Sequence, residues 1–216
     1  MSVGGVALFP ADTVYGLATD PDSSEGVRRL YALKGRAPDR PAAVMFFGLA
    51  PALATLPELG SRTRAAAERL LPGAVTLVLP NPAGRFPLAC GPTPDRLGLR
   101  VPTLSGALAP LAGMGRPVLQ SSANRSGGAD VRRLGDVDAG VRAGVDVILD
   151  GGELPGTAST VVDLLAYEDA GVYSIRREGA VPGARVDEAL ARLEGVPEDR
   201  EARRSRPTRW YRESDE

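Results

Sequence analysis

The chain reads as one α/β domain built on a mixed β-sheet, and three observations predict this. Apolar runs of strand length alternate with segments of helical period. Their order lacks the strict βαβ repeat of a doubly wound parallel sheet. The hydrophobic fraction is 43% of 216 residues, enough to fill a core. The domain is expected to occupy residues 1–196. From Pro197 the composition turns polar and charge-balanced (PEDREARRSRPTRWYRESDE), so residues 197–216 are expected to be a disordered tail.

The elements follow in order. Val3 to Phe9 is an apolar run stopped by Pro10 and Asp12, a buried strand. Asp22, Ser23 and Ser24 are N-cap candidates for a helix through Val27, Leu30, Tyr31 and Lys34, which Gly35 ends. Ala42 to Phe47 predicts a strand and Ser61 to Leu71 an amphipathic helix closed by Pro72-Gly73. Val75 to Leu79 and Leu97 to Val101 predict two further strands. A short helix over Gly106 to Ala112 leads to a strand over Pro117 to Gln120 and a polar turn over Ser121 to Gly128. A helix near Val137 to Ala143 precedes a strand over Val145 to Leu149. Thr160 to Leu164 and Val172 to Ile175 are the last strands, and Val186 to Leu193 the last helix.

Composition excludes several chemistries. With no histidine there is no imidazole relay, Ser-His-Asp triad or His-ligated zinc. One cysteine, Cys90, excludes an internal disulfide and a CxxC metal site, and no metal-ligating residue is expected. No run of eighteen apolar residues exists, and the N-terminus lacks the basic leader of a secretory signal, so a cytoplasmic protein is expected, with no membrane partner. The net charge of -1 gives no global pull toward nucleic acid, so any basic site must be local. Of 26 basic residues only Lys34 is lysine. A compact ammonium and a guanidinium fork are not interchangeable, which singles this position out.

Four polar clusters fall at predicted strand ends, where α/β proteins assemble their sites. The first, residues 10–17, carries Thr13 in a turn after a strand, open to a role in capping or in a cleft. The second, Lys34-Gly35-Arg36 followed by Arg40, gathers cations on a Gly/Pro loop suited to polyphosphate or simply to solvent. It lacks the glycines and Lys-Ser/Thr pair of a Walker A loop. The third, Gln120 to Gly128, offers short donors and trailing glycines that let backbone N–H groups approach an anion. The fourth comprises Arg100, Ser159-Thr160 and Arg177; an arginine inside LGLRVP must find an anion or reach water. Together these cations and hydroxyls suit adenylyl or phosphoryl transfer, which depends on positioning and electrostatics.

The segments FPADTVYGLATD, LYALKGRAPDRP, LLPGAVTLVLP, LGLRVP, SSANRSG, ASTVVDL and IRREGAV, in that order, resemble the motif set of the YrdC-like family, which includes the threonylcarbamoyl-AMP synthases. The resemblance runs from about Phe9 to Val181 and implies the short, single-domain form: a three-layer domain with a twisted mixed sheet and a concave basic cleft. By motif position, Thr13, Arg100 and Ser159 would hold L-threonine. Lys34, Arg36, Arg40, Arg96, Ser122, Asn124 and Arg177 would hold ATP, with Lys34 and Arg36 the catalytic cations. The lone lysine falls in the motif's lysine position.

The resemblance further implies a nucleotidyltransferase that joins L-threonine, bicarbonate and ATP into threonylcarbamoyl-AMP, with Mg²⁺ accompanying ATP. A downstream tRNA threonylcarbamoyl transferase would use the product on an adenosine next to the anticodon, and tRNA or double-stranded RNA is a further possible partner. Several positions depart from the family pattern. Ala11 replaces a Thr, Ala37 and Ala74 replace prolines, and Ala42 and Met45 stand where Leu and a polar residue occur. Only eight residues precede Phe9, where the family generally has a helix. These departures leave two other readings: an RNA-binding relative without synthase activity, and a carbamoyl transferase using the same cleft.

Overall fold

The computed structural model describes residues 4–194; the polar tail expected at 197–216 lies outside them. Nine strands form one mixed sheet: β1 (Val6–Pro10), β2 (Tyr15–Thr19), β3 (Ala43–Met45), β4 (Val75–Pro80), β5 (Arg96–Arg100), β6 (Val118–Ser122), β7 (Val147–Ile148), β8 (Thr160–Asp163) and β9 (Ser174–Arg177). Their spatial order is β7-β1-β2-β6-β3-β5-β4-β8-β9, with parallel pairs β1–β7, β3–β5 and β4–β8 among antiparallel ones. The mixed sheet expected from the sequence is therefore present.

The helices are α1 (Ser24–Lys34), α2 (Leu49–Thr55), α3 (Ser61–Leu70), α4 (Pro87–Cys90), α5 (Ala139–Ala143), α6 (Tyr167–Ala170) and α7 (Gly183–Glu194). Helix α1 begins where its sequence dictates. The Ser23 hydroxyl accepts from the Gly26 N–H at 3.1 Å, and Gly35 closes the helix in the left-handed conformation at φ 61°. All seven helices contribute buried residues to one large core cluster, shared with Val44, Leu77, Leu97, Leu99 and Leu119 of the sheet. Strand alternation turns the intervening residues Ala43, Thr76, Gly98, Arg100 and Gln120 to the opposite face. On that face a second, small cluster of Phe9, Ala11, Ala18, Met45, Phe47 and Val118 lies under Leu104, Leu111 and Met114.

The structure corrects several sequence expectations. Pro10 does not stop the first strand; it is its last residue and pairs with Tyr15. The chain turns at Thr13, as expected, and then runs back as strand β2, for which the sequence predicts no element. Every residue of β2 is buried, so no polar alternation marks it. The helix expected over 106–112 is a 3₁₀ segment, Gly106–Gly113, with Pro110 inside. The strand expected over 145–149 narrows to the exposed edge residues Val147–Ile148. The last strand is displaced from 172–175 to Ser174–Arg177. There a β-bulge between Val161 and Val162 sets Arg177 opposite Val161 and Ile175 opposite Val162. Helices α2, α4 and α6 were not anticipated; they are short, and two of them have four residues. Among the described residues no helix is long and apolar enough to cross a membrane.

Candidate functional site

The sheet face opposite the helices carries a cleft with about 1180 Å³ of empty space, its solvent-open mouth included. Five cationic side chains line it, Lys34, Arg36, Arg40, Arg100 and Arg177, with Thr76, Gln120, Ser121, Ser122, Asn124, Ser126 and Ser159. Among the described residues none that lines the cleft is acidic, so the lining favours anions. Segments more than a hundred residues apart in sequence thus meet in one cavity. Of the residues singled out from the sequence, Lys34, Arg36, Arg40, Arg100, Ser122, Asn124, Ser159 and Arg177 come together.

Two do not line the cleft. Thr13 is 1% exposed and sits behind Arg100, whose Nη2 donates to the Thr13 hydroxyl at 2.6 Å. Arg96 starts the strand that Arg100 ends, and its guanidinium pairs with neighbouring Asp95 at 3.2 Å.

Lys34 is 2% exposed at the last turn of α1. Its ammonium donates to the Ser122 carbonyl, to the Asn124 carbonyl at 2.6 Å and to Asn124 Oδ1 at 3.3 Å. Three donors meet three acceptors, so Lys34 pins the loop after β6 to the end of α1. The Ser126 N–H returns a bond to the Lys34 carbonyl at 2.8 Å. Burial, and then the nearby Arg36 charge, depress the Lys34 pKa to about 7, with Asp130 opposing them. Asn124 is held from both ends: Oδ1 also accepts from the Ser122 hydroxyl at 2.5 Å, and Nδ2 donates to the Gly128 carbonyl.

Arg36 donates to the Pro41 carbonyl at 2.6 Å and lies 5.7 Å from the Tyr31 ring centroid, which orients the guanidinium. Arg177 donates to the Ser159 carbonyl at 2.8 Å. Arg100 finds the anion its buried position requires in Asp12, at 2.5 Å, and the Asp12 carboxylate also accepts from the Thr103 N–H at 3.0 Å. The Nε groups of Arg36 and Arg100 are buried with no hydrogen-bond partner among the described residues. An unmet buried donor costs about 1–3 kcal/mol, so each is a contact that a bound anion would satisfy.

Three residues escaped the sequence reading. Asp12 orients Arg100 across 88 positions of sequence, which no local pattern reveals. Thr76 shares a 2.8 Å hydrogen bond with Ser159 on the cleft floor. Its signal was visible: one hydroxyl in the apolar run VTLVLP, in phase with the cleft-facing alternation. Tyr15 is fully buried; its hydroxyl donates to Asp150 Oδ1 and accepts from the Gly151 N–H, tying the chain that leads to Ser159 against the first motif. Among the sequence departures, Ala11 and Ala42 line the cleft, whereas Met45 is fully buried in the second cluster.

Fold and site together define an α/β protein with a cation-lined cleft on one face of a mixed sheet. The family model Sua5_yciO_yrdC, described as "Telomere recombination", matches residues 1–179. The chain belongs to the Sua5/YciO/YrdC family. It is 28% identical over 191 residues to the threonylcarbamoyl-AMP synthase of Pyrococcus abyssi, covering 88% of this chain and 55% of that one. It is 30% identical over 181 residues to the threonylcarbamoyl-AMP synthase of Hahella chejuensis, covering 82% of this chain and 94% of that one. Among solved structures, P. abyssi Sua5 complexed with L-threonine matches with a TM-score of 0.72 and 26% identity, over 96% of this chain and 62% of that one. The chain spans 55% and 56% of the length of the P. abyssi and Bacillus subtilis relatives it matches.

Proposed function

We propose that the cleft joins L-threonine, bicarbonate and ATP into threonylcarbamoyl-AMP and pyrophosphate. The observation that carries this reading is the convergence of Lys34, Arg36, Arg100, Ser122, Asn124, Ser159 and Arg177 on one acid-free cavity. The relatives named threonylcarbamoyl-AMP synthase and the threonine-bound Sua5 structure support the choice of substrates.

Arg100, held by Asp12 and Thr13, takes the threonine carboxylate, and Ser159 with Thr76 borders the same ligand. Arg36, Arg40 and Arg177 take the ATP phosphates with the Ser122–Asn124 loop, which Lys34 holds in place. The threonine amine captures bicarbonate as a carbamate, with loss of water. A carbamate oxygen then attacks the α-phosphorus and pyrophosphate leaves. The cleft aligns two anions and offsets their repulsion, a task suited to fixed cations. The lining supplies cations, hydroxyls and amides but no carboxylate, so Mg²⁺ fits this site as an ion carried by the triphosphate. The product would pass to a transferase that modifies tRNA.

The test is incubation of the protein with L-threonine, bicarbonate and ATP-Mg²⁺, with chromatographic detection of pyrophosphate and threonylcarbamoyl-AMP. Absence of both, beside an active reference synthase, overturns the reading. Salt-dependent RNA binding without turnover would favour a binding protein, and turnover with carbamoyl phosphate a carbamoyl transferase.

A further inference from the structure

We infer that Gln120 is a specificity-determining residue that reads the carbamoyl group formed between the amino acid and bicarbonate. The inference rests on the synthase reading and adds to it a residue outside the expected threonine and nucleotide sets. Gln120 stands in the middle of β6, and its cross-strand partners on the cleft face are Ala18 and Ala43. Between two alanines its side chain is free to rise into the cleft it lines. Its Oε1 lies over Gly16, where an added Cβ would stand 3.5 Å away. Within the described residues its amide makes no hydrogen bond.

Its position is intermediate between the two expected ligands. On the same face of β6, Ser122 lies two residues on, about 7 Å away along a strand, where the loop anchored by Lys34 begins. In the other direction Val118 pairs with Met45, which pairs with Arg100. A group above Gln120 therefore sits where the carbamate must meet the phosphate.

The charge pattern leaves the amide a distinct role. The lining arginines donate to anions and offer no hydrogen-bond acceptor, and the Lys34 ammonium is already spent on three acceptors of its own loop. The second amide of the lining, Asn124, is engaged through both Oδ1 and Nδ2. Gln120 offers one acceptor and two donors together. An amino-acid carbamate presents an N–H beside a carbamoyl oxygen, the complement of a primary amide. Oε1 would accept from the N–H while Nε2 donates to one oxygen, leaving the other oxygen to attack phosphorus.

The chemistry supplies a diagnostic substrate. N-methyl-L-threonine gives a carbamate with no N–H, so it cannot form the pair. The wild-type protein should use L-threonine at least tenfold better than N-methyl-L-threonine in kcat/KM, as expected for a neutral hydrogen bond lost beside an unmet acceptor. In Gln120→Leu, the KM for bicarbonate should rise about tenfold and this discrimination should shrink toward unity. ATP should still raise the melting temperature of the variant as it does that of the wild type, which separates a lost contact from a damaged fold. An active wild type whose Gln120→Leu variant keeps both the bicarbonate KM and the discrimination overturns the inference. A wild type that makes no threonylcarbamoyl-AMP overturns the synthase reading itself.

Discussion

One face of the sheet carries two hollows with opposite chemistry. The cleft around Arg100 and Lys34 holds five cations and no acid, while the second hollow is bounded by Ala7, Phe9, Phe47, Leu111, Met114 and Leu149. Strand β6 contributes to both: Val118 faces the apolar hollow, and Gln120 and Ser122 face the cleft. Concavity is thus common to both, and the difference lies in donors held at fixed positions. In the cleft Lys34, Arg100 and Arg177 are anchored by partners from other segments, which fixes their positions as the alignment of anions would require.

The strongest way to break this contrast is to remove the cation that is paired with a buried carboxylate. Arg100→Met leaves the Asp12 carboxylate, 8% exposed, without its partner. A stranded buried charge costs about 3–5 kcal/mol, and urea denaturation should read that loss. Adding Asp12→Asn should restore much of the stability while leaving threonine turnover low. If the single variant is as stable as the wild type, the pair is not a buried anchor.

A pH series sharpens the comparison through Lys34. Its folded pKa, about 7, lies below the usual 10.5, so the unfolded chain holds more protons between those values and stability rises with pH across that window. Deprotonation also removes a positive charge from the side of the cleft proposed to take the nucleotide. ATP affinity should therefore fall by up to tenfold per pH unit above about 7, opposite in sign to the stability trend. Calorimetric titration beside thermal melts from pH 6 to 9 would separate the two. The Lys34→Met variant should lose the pH dependence of ATP binding, and a slope that persists would assign it elsewhere.

Smaller effects follow on the cleft floor and in the apolar hollow. Thr76→Val removes the hydrogen bond to Ser159 and should cost about 1 kcal/mol of stability while raising the threonine KM several-fold. An unchanged KM would place Thr76 outside the threonine site. In the apolar hollow, Val147→Thr alters a side chain on an edge residue 48% exposed, so stability should stay within about 0.5 kcal/mol and turnover should be unchanged. A loss of turnover there would mean that the two hollows are coupled.

Much of the cleft was legible in the sequence because its chemistry stands in short runs at strand ends. Lys34, Arg36, Ser122 and Asn124 belong to such runs, and the α1 caps Ser23 and Gly35 were readable from local preference alone. What stayed hidden depended on long-range pairing. Nothing near Asp12 announces Arg100, and nothing near Tyr15 announces Asp150. Strand β2 escaped for a related reason: it is buried throughout, and its Gly and Ala give no strand signature. Met45, taken from the sequence as part of an altered amino-acid pocket, packs instead with Phe9, Phe47 and Val118. The side a strand residue faces is set by its neighbours, and the neighbours are a property of the whole sheet.

The irregularity where β8 meets β9 has a consequence for how the last arginines are dealt out. In a regular strand, consecutive side chains go to opposite sides, so one of Arg176 and Arg177 would be driven among the leucines and valines beneath the sheet. The extra residue lets both emerge together: Arg176 is neutralised by Asp163, and Arg177 is left to reach Ser159 and the cavity beyond. Excising a single residue at this kink would therefore do more harm than replacing either guanidinium. It would re-phase the edge of the sheet and bury a charge where only hydrocarbon belongs.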